Sequence, residues 1–340
     1  MKTDVYAFGS ALVDIQIQVT DKLLDEIGAE KGNMYLAERN RQEDLIKKLL
    51  GSDNLAVDHI QKKLQTAAGG SAANTVFGIA QLGGRGALCG KVADDSFGDL
   101  YTRHMRNSGV LFHKTSVQGM TGTCVVMISD DAQRTMLTCL GVSSEIALDD
   151  IDEDLIRQST YVYLEGYLFD SEVATRTLLR VVEIARKHGV RLSLTASDSF
   201  CVSRHKDIFL KLLRDDVDLL FANAQEARAL SDTGTTADAI RVLSEMGRNI
   251  AVTDGSRGST LVFDGQTIKI DPCTVSAIDT TGAGDSYAAG LLFGLTNGYS
   301  LKNSGNIASF FASRVVSQVG PRYSGSIKNE LKSLQLIADN

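Results

Sequence analysis

The sequence predicts an α/β protein of three layers, in which a mainly parallel central sheet lies between two layers of helices. Short β-type runs alternate with helical runs from about residue 159 to residue 253, and this order is typical of repeated βαβ units. Such units build parallel sheets that helices cover on both faces. The composition, with 43% hydrophobic and 23% charged residues in a chain of 340, fits a folded protein with a substantial core.

The first 140 residues contain several β-type runs and one clear helical pattern. Residues 5–9 predict a buried strand, and the period-2 alternation over 12–19 predicts a second, half-exposed strand. A glycine pair opens a helical pattern with an apolar face over 69–82. Two β-type runs, 123–128 and 135–140, flank a polar turn and predict a hairpin.

The remaining residues follow a regular order. They predict a strand over 161–164, a helix over 173–187, a strand over 190–194, a helix over 207–214, a strand over 219–221 and helices up to residue 246. A strand over 250–253 precedes a predicted hairpin around Asp264 and Gly265, and the chain is predicted helical from 284 to 316.

Two β-rich segments, about 14–36 and 112–140, fit the main sheet poorly. We expect them to pair as a small sheet that forms a lid over a cleft, inserted in one α/β domain spanning 1–340. The sequence shows no internal repeat, and its two prolines, Pro272 and Pro321, mark no hinge between domains.

Charge and cysteine use exclude several classes of protein. The formal net charge is -7 and no run of Lys or Arg stands out, which argues against a surface for nucleic acid or anionic membranes. The five cysteines are scattered without C-x-x-C spacing, so we expect neither a disulfide framework nor a zinc site. No apolar segment approaches the roughly 20 residues of a membrane helix, and no leader pattern begins the chain. We therefore expect a cytoplasmic protein.

The most informative stretch is 279–285, Asp-Thr-Thr-Gly-Ala-Gly-Asp, which runs into a small and apolar helical segment. Unpaired N–H groups and the positive end of the helix dipole meet at such a helix start, so it binds anions. Asp285 would lie beside a bound phosphate, which is the minimum equipment for moving a phosphoryl group onto a hydroxyl. A tight turn followed by a first-turn carboxylate is the structural alternative. Neither a Walker A loop nor a dinucleotide fingerprint occurs.

The same stretch closely resembles the C-terminal signature of the ribokinase-like (PfkB) family of carbohydrate and nucleoside kinases. Residues 69–74 together with 90–98 resemble the N-terminal motif of that family, 223–226 resemble its N-x-x-E element, and 253–258 resemble its nucleotide loop. The resemblance covers nearly the whole chain. It implies the ribokinase-like fold with a small lid sheet, and a kinase that uses ATP and Mg2+.

The resemblance implies roles for the signature loop and for the acceptor site. Asp285 would take the proton of the acceptor hydroxyl, and the amides of Gly282, Ala283 and Gly284 would stabilise the transferred phosphoryl group. Asp14 would bind two vicinal hydroxyls, since a carboxylate accepts two hydrogen bonds at once. Its alternative is a surface aspartate that closes a strand. Beside Asp14 the resemblance places three further residues: Gly69, Gly70 and Asn74.

The nucleotide side is assigned in the same way. Asn223 and Glu226 would face the phosphates, with Glu226 holding Mg2+ through water. A helix N-cap followed by an N3 glutamate explains their spacing equally well. The resemblance adds further residues near the ATP phosphates, ribose and adenine: Thr253, Gly255, Gly258 and Asn306.

Two further assignments are looser. The family often uses a monovalent cation such as K+ near the signature loop, and Asp279, Thr281 and the loop around Gly320 are the matching neighbourhood. Arg134, in the predicted lid hairpin, either reaches substrate or phosphate or is a solvated turn residue.

Residues 9–15, 31–34, 163–167 and 197–201 are similar to bacterial adenosine-kinase-like sequences. The expected acceptor is therefore a primary hydroxyl of a nucleoside ribose, with adenosine preferred. A sugar such as ribose or fructose is the main alternative, and a catalytically silent sugar or nucleotide sensor is the second. A nicotinamide-dependent oxidoreductase lacks its glycine fingerprint here. Monomer and homodimer remain open.

Overall fold

The structure is a computed structural model that describes residues 2–112, 116–131, 133–247 and 249–338. Ala132, in the predicted hairpin turn, and residues 113–115 of the predicted lid segment lie outside the described residues. Numbered along the chain, the strands are β1 Thr3–Phe8, β2 Leu12–Gln18, β3 Met34–Leu36, β4 Gln65–Gly69, β5 Gly86–Cys89, β6 Val92–Ala93, β7 Leu111–Phe112, β8 Ser116–Val117, β9 Gly122–Ile128, β10 Arg134–Cys139, β11 Ser159–Glu165, β12 Arg191–Thr195, β13 Leu219–Asn223, β14 Asn249–Thr253, β15 Ser259–Phe263 and β16 Gln266–Ile270.

The helices of the described residues follow the same numbering. They are α1 Asp21–Glu26, α2 Arg39–Leu50, α3 Val57–Lys63, α4 Ser71–Leu82, α5 Ser96–Asn107, α6 Glu153–Arg157, α7 Glu172–Lys187, α8 Ser199–Asp215, α9 Ala224–Ser231, α10 Thr236–Met246, α11 Ala283–Thr296, α12 Leu301–Val316 and α13 Ile327–Ser333. No helix in this part of the chain has the length and apolar character needed to cross a bilayer.

The main sheet has nine strands in the order β16-β15-β14-β13-β12-β11-β1-β5-β7. Every neighbouring pair from β14 to β7 is parallel, and β15 and β16 add an antiparallel edge. Alternate residues of β1 enter opposite cores: Val5 and Ala7 pack with α4, α11 and α12, whereas Tyr6 and Phe8 pack with α7 and α8. Because successive side chains of a strand point to opposite faces, this division confirms the predicted three-layer α/β fold.

A second sheet of five strands lies in the order β3-β10-β9-β2-β4. It contains strands from both segments that we expected to leave the main sheet, 14–36 and 112–140. It also contains β4, which the sequence did not predict, and the short β7 joins the main sheet instead. The helices α1, α2 and α3 cover one face of the second sheet. Its role as a lid on a single domain of 1–340 stays a prediction.

Three local expectations were wrong. The strand β2 is not half-exposed, since its residues from Leu12 to Gln16 are buried between the helix-covered core around Ile15 and the apolar cluster of Leu12 on the other face. The predicted helix over 69–82 begins only at Ser71, after the left-handed Gly70 with φ +92°. The helix α8 begins at Ser199 rather than at 207. A non-helical break at His205 divides it, and the predicted helix corresponds to the second part only.

Candidate active site

A cavity of about 100 Å³ lies between the main sheet and the second sheet. Four of its polar lining residues come from four elements: Asp14 on β2, Asn74 on α4, Glu165 at the end of β11 and Asp285 on α11. Asp14 is the register neighbour of Cys124, so it borders the apolar wall of the cavity, which is formed mostly by second-sheet residues: Leu12, Cys124, Val126, Met136 and Leu140. The cavity therefore offers hydrogen-bonding groups and an apolar surface to the same ligand.

Asp285 is held on both carboxylate oxygens. Ser71 Oγ donates to Oδ1 over 2.6 Å, and Asn74 Nδ2 donates to Oδ2 over 3.0 Å. Burial raises the pKa of Asp285, while the hydrogen bonds from Ser71 and Asn74 and the positive charge of Arg134 act in the opposite direction. The start of α4 thus fixes the orientation of a carboxylate that belongs to the start of α11.

The loop before α11 is ordered by the buried carboxylate of Asp279. It accepts from Thr281 N over 2.8 Å, from Thr281 Oγ1 over 2.6 Å and from Gly320 N over 2.7 Å. Gly282 has φ +76°, and a β-carbon there would lie 2.5 Å from the carbonyl oxygen of Pro321. A β-carbon at Gly284 would meet nothing within 4 Å. The loop is therefore held at its base and open at the first turn of the helix, where N–H groups lack helical partners. Of these groups, the Ala283 N–H donates to the Thr280 carbonyl oxygen over 3.3 Å.

Asp14 is 6% exposed and lies directly against the backbone of Gly69, where a β-carbon would overlap the carboxylate. Burial raises the pKa of Asp14 to about 7, although the charges of Arg322 and Arg134 lower it. Gly70 is equally constrained, since a β-carbon on it would overlap the carbonyl oxygen of Ser10. The predicted acceptor residues are thus brought together around one end of the cavity.

Glu165 also lines the cavity, and no role was assigned to it from the sequence beyond its place in the stretch 163–167. It is 1% exposed and accepts from Ser10 N over 3.1 Å and from Ala72 N over 2.8 Å. Burial raises its pKa to about 7, and the two backbone hydrogen bonds oppose the rise. The sequence feature that could have indicated its role is its place at the carboxyl end of an apolar strand. The carboxylate joins the β1–β2 connection to the start of α4.

Asn223 and Thr253, which the resemblance assigns to the nucleotide, are register neighbours at the carboxyl ends of β13 and β14. Asn223 caps α9, and Glu226 bonds back to the Asn223 N–H over 2.8 Å, so the capping box exists. Burial raises the pKa of Glu226 to about 7, and the charges of Asp198, Arg134 and Asp285 also act on it. Glu226 therefore caps the helix and also lies within electrostatic range of Asp285.

The other predicted nucleotide residues border the end of β16. Gly255 and Gly258 have φ +54° and +83°, and a β-carbon on Gly258 would overlap the carbonyl oxygen of Ile270. Asn306 lies on α12 next to Gly305, which packs on the side chain of Ile270. These residues lie near one another, outside the cavity lined by Asp285.

Arg134, at the first position of β10, lines the cavity. Its charge lowers the pKa values of Asp14, Asp285 and Glu226, so the guanidinium lies within electrostatic range of all three carboxylates. Nearby, Tyr167 Oη donates to Asp198 Oδ2 over 2.9 Å. Neither partner of this pair was given a role from the sequence.

A bound Mg2+ ion would need ligands from the nucleotide as well as from the protein. Among the described residues, no group of three or more His, Cys, Asp and Glu side chains could hold a metal ion. A single carboxylate such as Glu226, acting through water with phosphate oxygens as the main ligands, fits the chemistry of Mg2+.

The chain is similar in sequence and fold to known kinases. The profile of the pfkB family carbohydrate kinases matches residues 43–328. The crystal structure of a probable sugar kinase protein from Rhizobium etli CFN 42 is 34% identical, with a TM-score of 0.93 and coverage of 99% of this chain and 100% of that chain. The adenosine kinase structure from Sinorhizobium meliloti is 37% identical, with a TM-score of 0.91 and coverage of 98% and 100%. The adenosine kinase of Saccharomyces cerevisiae is 26% identical over 344 residues, covering 95% of this chain and 97% of that protein.

The chain therefore belongs to the pfkB family of carbohydrate kinases and has the ribokinase-like fold. It is a phosphotransferase that acts on a hydroxyl group. Membership of this family implies ATP as the phosphoryl donor, typically with Mg2+.

Proposed function

We propose that the protein transfers the γ-phosphate of ATP to a primary hydroxyl of a nucleoside ribose, and that adenosine is the preferred acceptor. The observation that carries the proposal is the mixed polar and apolar lining of the cavity. Asp14 and Asn74 offer hydrogen bonds to ribose hydroxyls, while the apolar wall offers an area of contact to the face of a base. A simple sugar would leave that wall without a partner.

The comparisons support both acceptors to different degrees. An adenosine kinase at 37% identity over nearly the full length favours the nucleoside. A probable sugar kinase at 34% identity keeps a PfkB-family sugar kinase, for ribose, fructose or a related carbohydrate, as the second candidate. A catalytically silent sensor is disfavoured, because the carboxylate of Asp285 and the glycines of its loop are all in place.

In the proposed reaction, the acceptor oxygen forms a bond to the γ-phosphorus of ATP as the bond to the bridging oxygen of ADP breaks. The acceptor proton passes to a carboxylate oxygen of Asp285, which the hydrogen bonds from Ser71 and Asn74 keep in place. The N–H groups from Gly282 to Gly284 stabilise the developing negative charge at the helix start, and Arg134 adds a positive charge from the second sheet. Asp14 binds the vicinal hydroxyls.

ATP is proposed to lie across the carboxyl ends of β13 and β14. Asn223 and Thr253 face its phosphates, Glu226 holds Mg2+ through water, and Gly255, Gly258 and Asn306 border the nucleoside part. Mg2+ would neutralise charge on the phosphates. The region of Asp279 and Thr281 is proposed to take a monovalent cation such as K+ through backbone oxygens, because both oxygens of the Asp279 carboxylate already accept hydrogen bonds within the loop.

The second sheet is proposed to be a lid on a single domain of 1–340, which closes over the acceptor and excludes water. We place the reaction in the cytoplasm and expect no nucleic-acid or membrane partner. The proposal holds for a monomer as well as for a homodimer.

The decisive experiment is an ADP-release screen with ATP and Mg2+ across adenosine, guanosine, inosine, ribose and fructose. We expect turnover with adenosine well above that with either sugar. The Asp285→Asn variant is the matched control, since it keeps the shape of the side chain and loses the base; turnover should fall by about 10²- to 10⁴-fold. If every nucleoside is inert and a sugar is phosphorylated, the acceptor assignment is wrong. Full activity of Asp285→Asn would remove the assigned base.

A further inference from the structure

Arg322 is a charged residue close to the reaction centre that no motif of the sequence analysis includes. It lies in the connection between α12 and α13, directly after Pro321, whose carbonyl oxygen packs against Gly282. Its guanidinium lies 4.4 Å from the centroid of the Phe77 ring, and Nη2 lies 3.8 Å from Met105 Sδ. The side chain is therefore packed against α4 and α5 rather than extended into solvent.

The polar contact of Arg322 is with Asn74, because Nε donates to Asn74 Oδ1 over 3.0 Å. An asparagine amide has one accepting oxygen and one donating nitrogen of nearly the same shape. Arginine only donates, so it requires the oxygen of Asn74 to face it. The nitrogen of the amide must then face Asp285, as observed at 3.0 Å from Oδ2. A flipped amide would place an oxygen against the carboxylate.

We propose that Arg322 is a positioning residue for phosphoryl transfer, which fixes the amide of Asn74 and, through it, the carboxylate of Asp285. This inference rests on the proposed role of Asp285 as the base. Arg322 does not line the cavity, so it acts through Asn74 without touching the acceptor. A relay of three side chains from three parts of the chain thus ends on the reacting carboxylate.

Charge gives Arg322 a second effect on the same carboxylate. The titratable groups that interact electrostatically with Asp285 come from every element around it: Asp14, Arg134, Tyr163, Glu165, Glu226 and Arg322. Burial raises the pKa of Asp285 and of Asp14, and the positive charge of Arg322 lowers both. Loss of that charge would favour the protonated forms, and a protonated Asp285 cannot accept a proton from the acceptor.

The test compares Arg322→Met with the wild type, using ATP, Mg2+ and adenosine, or the acceptor found in the ADP-release screen. Methionine keeps apolar contact with the Phe77 ring and removes both the donor and the charge. We expect kcat to fall by about 10- to 100-fold, as for the loss of one charge-assisted hydrogen bond. The acid limb of the kcat profile should move to higher pH, because one of the positive charges that lower the pKa of Asp285 is lost.

Arg314→Met is the matched control, because the Arg314 guanidinium also lies over a phenylalanine, 4.5 Å from the Phe310 centroid, and bonds to Glu330 on α13. It should lower the thermal midpoint without moving the pH profile. Arg322→Lys keeps the charge and loses the planar donor group, so its acid limb should remain near that of the wild type. This variant also carries the test if Arg322→Met does not fold.

A double-mutant cycle separates relay from simple destabilisation. In an Asn74→Ala background, Arg322→Met should cost much less in kcat than it does alone. Equal costs in both backgrounds, or an Arg322→Met enzyme with unchanged kcat and pH profile, would overturn the inference. If Arg322 fails this test and the Asp285→Asn variant is inactive, the proposed function remains and only the role of Arg322 is wrong. If the Asp285→Asn variant is active, both the proposed base and the role of Arg322 are wrong.

Discussion

The carboxylate of Asp14 lies flat against the backbone of Gly69, with no room for a β-carbon between them. The two residues lie diagonally across the antiparallel pair β2 and β4, where Asp14 is opposite Ala67 and Gly69 is opposite Leu12. Glycine therefore permits the buried carboxylate to occupy this position at the entrance to α4. The acceptor site depends on a strand pairing as much as on the carboxylate itself.

The first prediction concerns this contact. In Gly69→Ala, the new methyl group should displace the Asp14 carboxylate and raise the KM for the acceptor at least about tenfold, as for a lost charged hydrogen bond. The KM for ATP should change little, because the predicted nucleotide residues lie outside this cavity. Steady-state kinetics with each substrate varied in turn would measure both values.

Gly234→Ala is the control for this experiment. Gly234 is exposed, and its added β-carbon would meet nothing within 4 Å, so both KM values should match the wild type. An unchanged acceptor KM in Gly69→Ala would mean that Asp14 does not bind the acceptor.

The second prediction is a pH dependence of acceptor use. Burial raises the pKa of Asp14 to about 7, and only the ionised carboxylate is acceptor-only on both of its oxygens, as two donating hydroxyls require. The kcat/KM for the acceptor should therefore rise with pH from about 6 to about 8, by up to tenfold per unit on the acid side of the pKa. Initial rates at low acceptor concentration would measure it.

Asp14→Asn identifies the group responsible, because Asp285 titrates in the same cavity. The variant should have a lower kcat/KM, and the part of the pH dependence that arises from Asp14 should disappear. If wild type and Asp14→Asn follow the same curve, another group controls the profile.

The third prediction separates the two glycines of the signature loop. Gly282 has φ +76° and lies against Pro321, so Gly282→Ala should lower stability by at least about 1–2 kcal/mol, the cost of a left-handed non-glycine residue. Gly284 has an unstrained backbone and open space around its Cα. Gly284→Ala should keep the thermal midpoint and lose at least tenfold in kcat, because its methyl group enters the proposed phosphoryl site.

Thermal unfolding and kcat measured on the same preparations would decide between these effects. A stable and fully active Gly284→Ala enzyme would show that the amides of this turn do not surround the transferred group.

The sequence allows the signature loop to be predicted because its chemistry is local. The glycine at 282 and the carboxylate at 285 follow from the backbone of a helix start, and both lie at the start of α11, where we expected them. Glu165 and Arg322 could not be assigned in this way, because their partners Ser10 and Asn74 are 155 and 248 residues away in the chain. Such contacts arise only from the packing of the layers.

The missed strand β4 has a different cause. Its sequence, Gln-Thr-Ala-Ala-Gly, has few of the β-branched and aromatic residues that mark strands. Its place in the second sheet comes from backbone pairing with β2. The burial of β2 was missed for a related reason. The period-2 pattern of a strand predicts one exposed face, and it contains no information about helices and an apolar cluster that cover both faces.

The fourth prediction concerns stability. Burial raises the pKa values of Asp14, Glu165 and Glu226 to about 7, above those of the unfolded chain. Between about pH 4.5 and 7 the folded protein therefore holds more protons than the unfolded chain, and the free energy of unfolding falls as pH rises. Each group contributes at most about 1.4 kcal/mol per pH unit. His104 opposes them near pH 6, because burial lowers its pKa.

Thermal unfolding of the apoprotein at pH 6, 7 and 8 should thus give a midpoint that decreases with pH. Asp14→Asn is the sharpest comparison, since an amide cannot ionise and the variant keeps the size of the side chain. The thermal midpoint of the variant should rise relative to that of the wild type as pH rises. The reason is that the ionised Asp14 carboxylate destabilises the folded enzyme until a ligand provides it with hydrogen-bond donors. A constant difference between the two proteins from pH 6 to pH 8 would show that Asp14 does not titrate in this range.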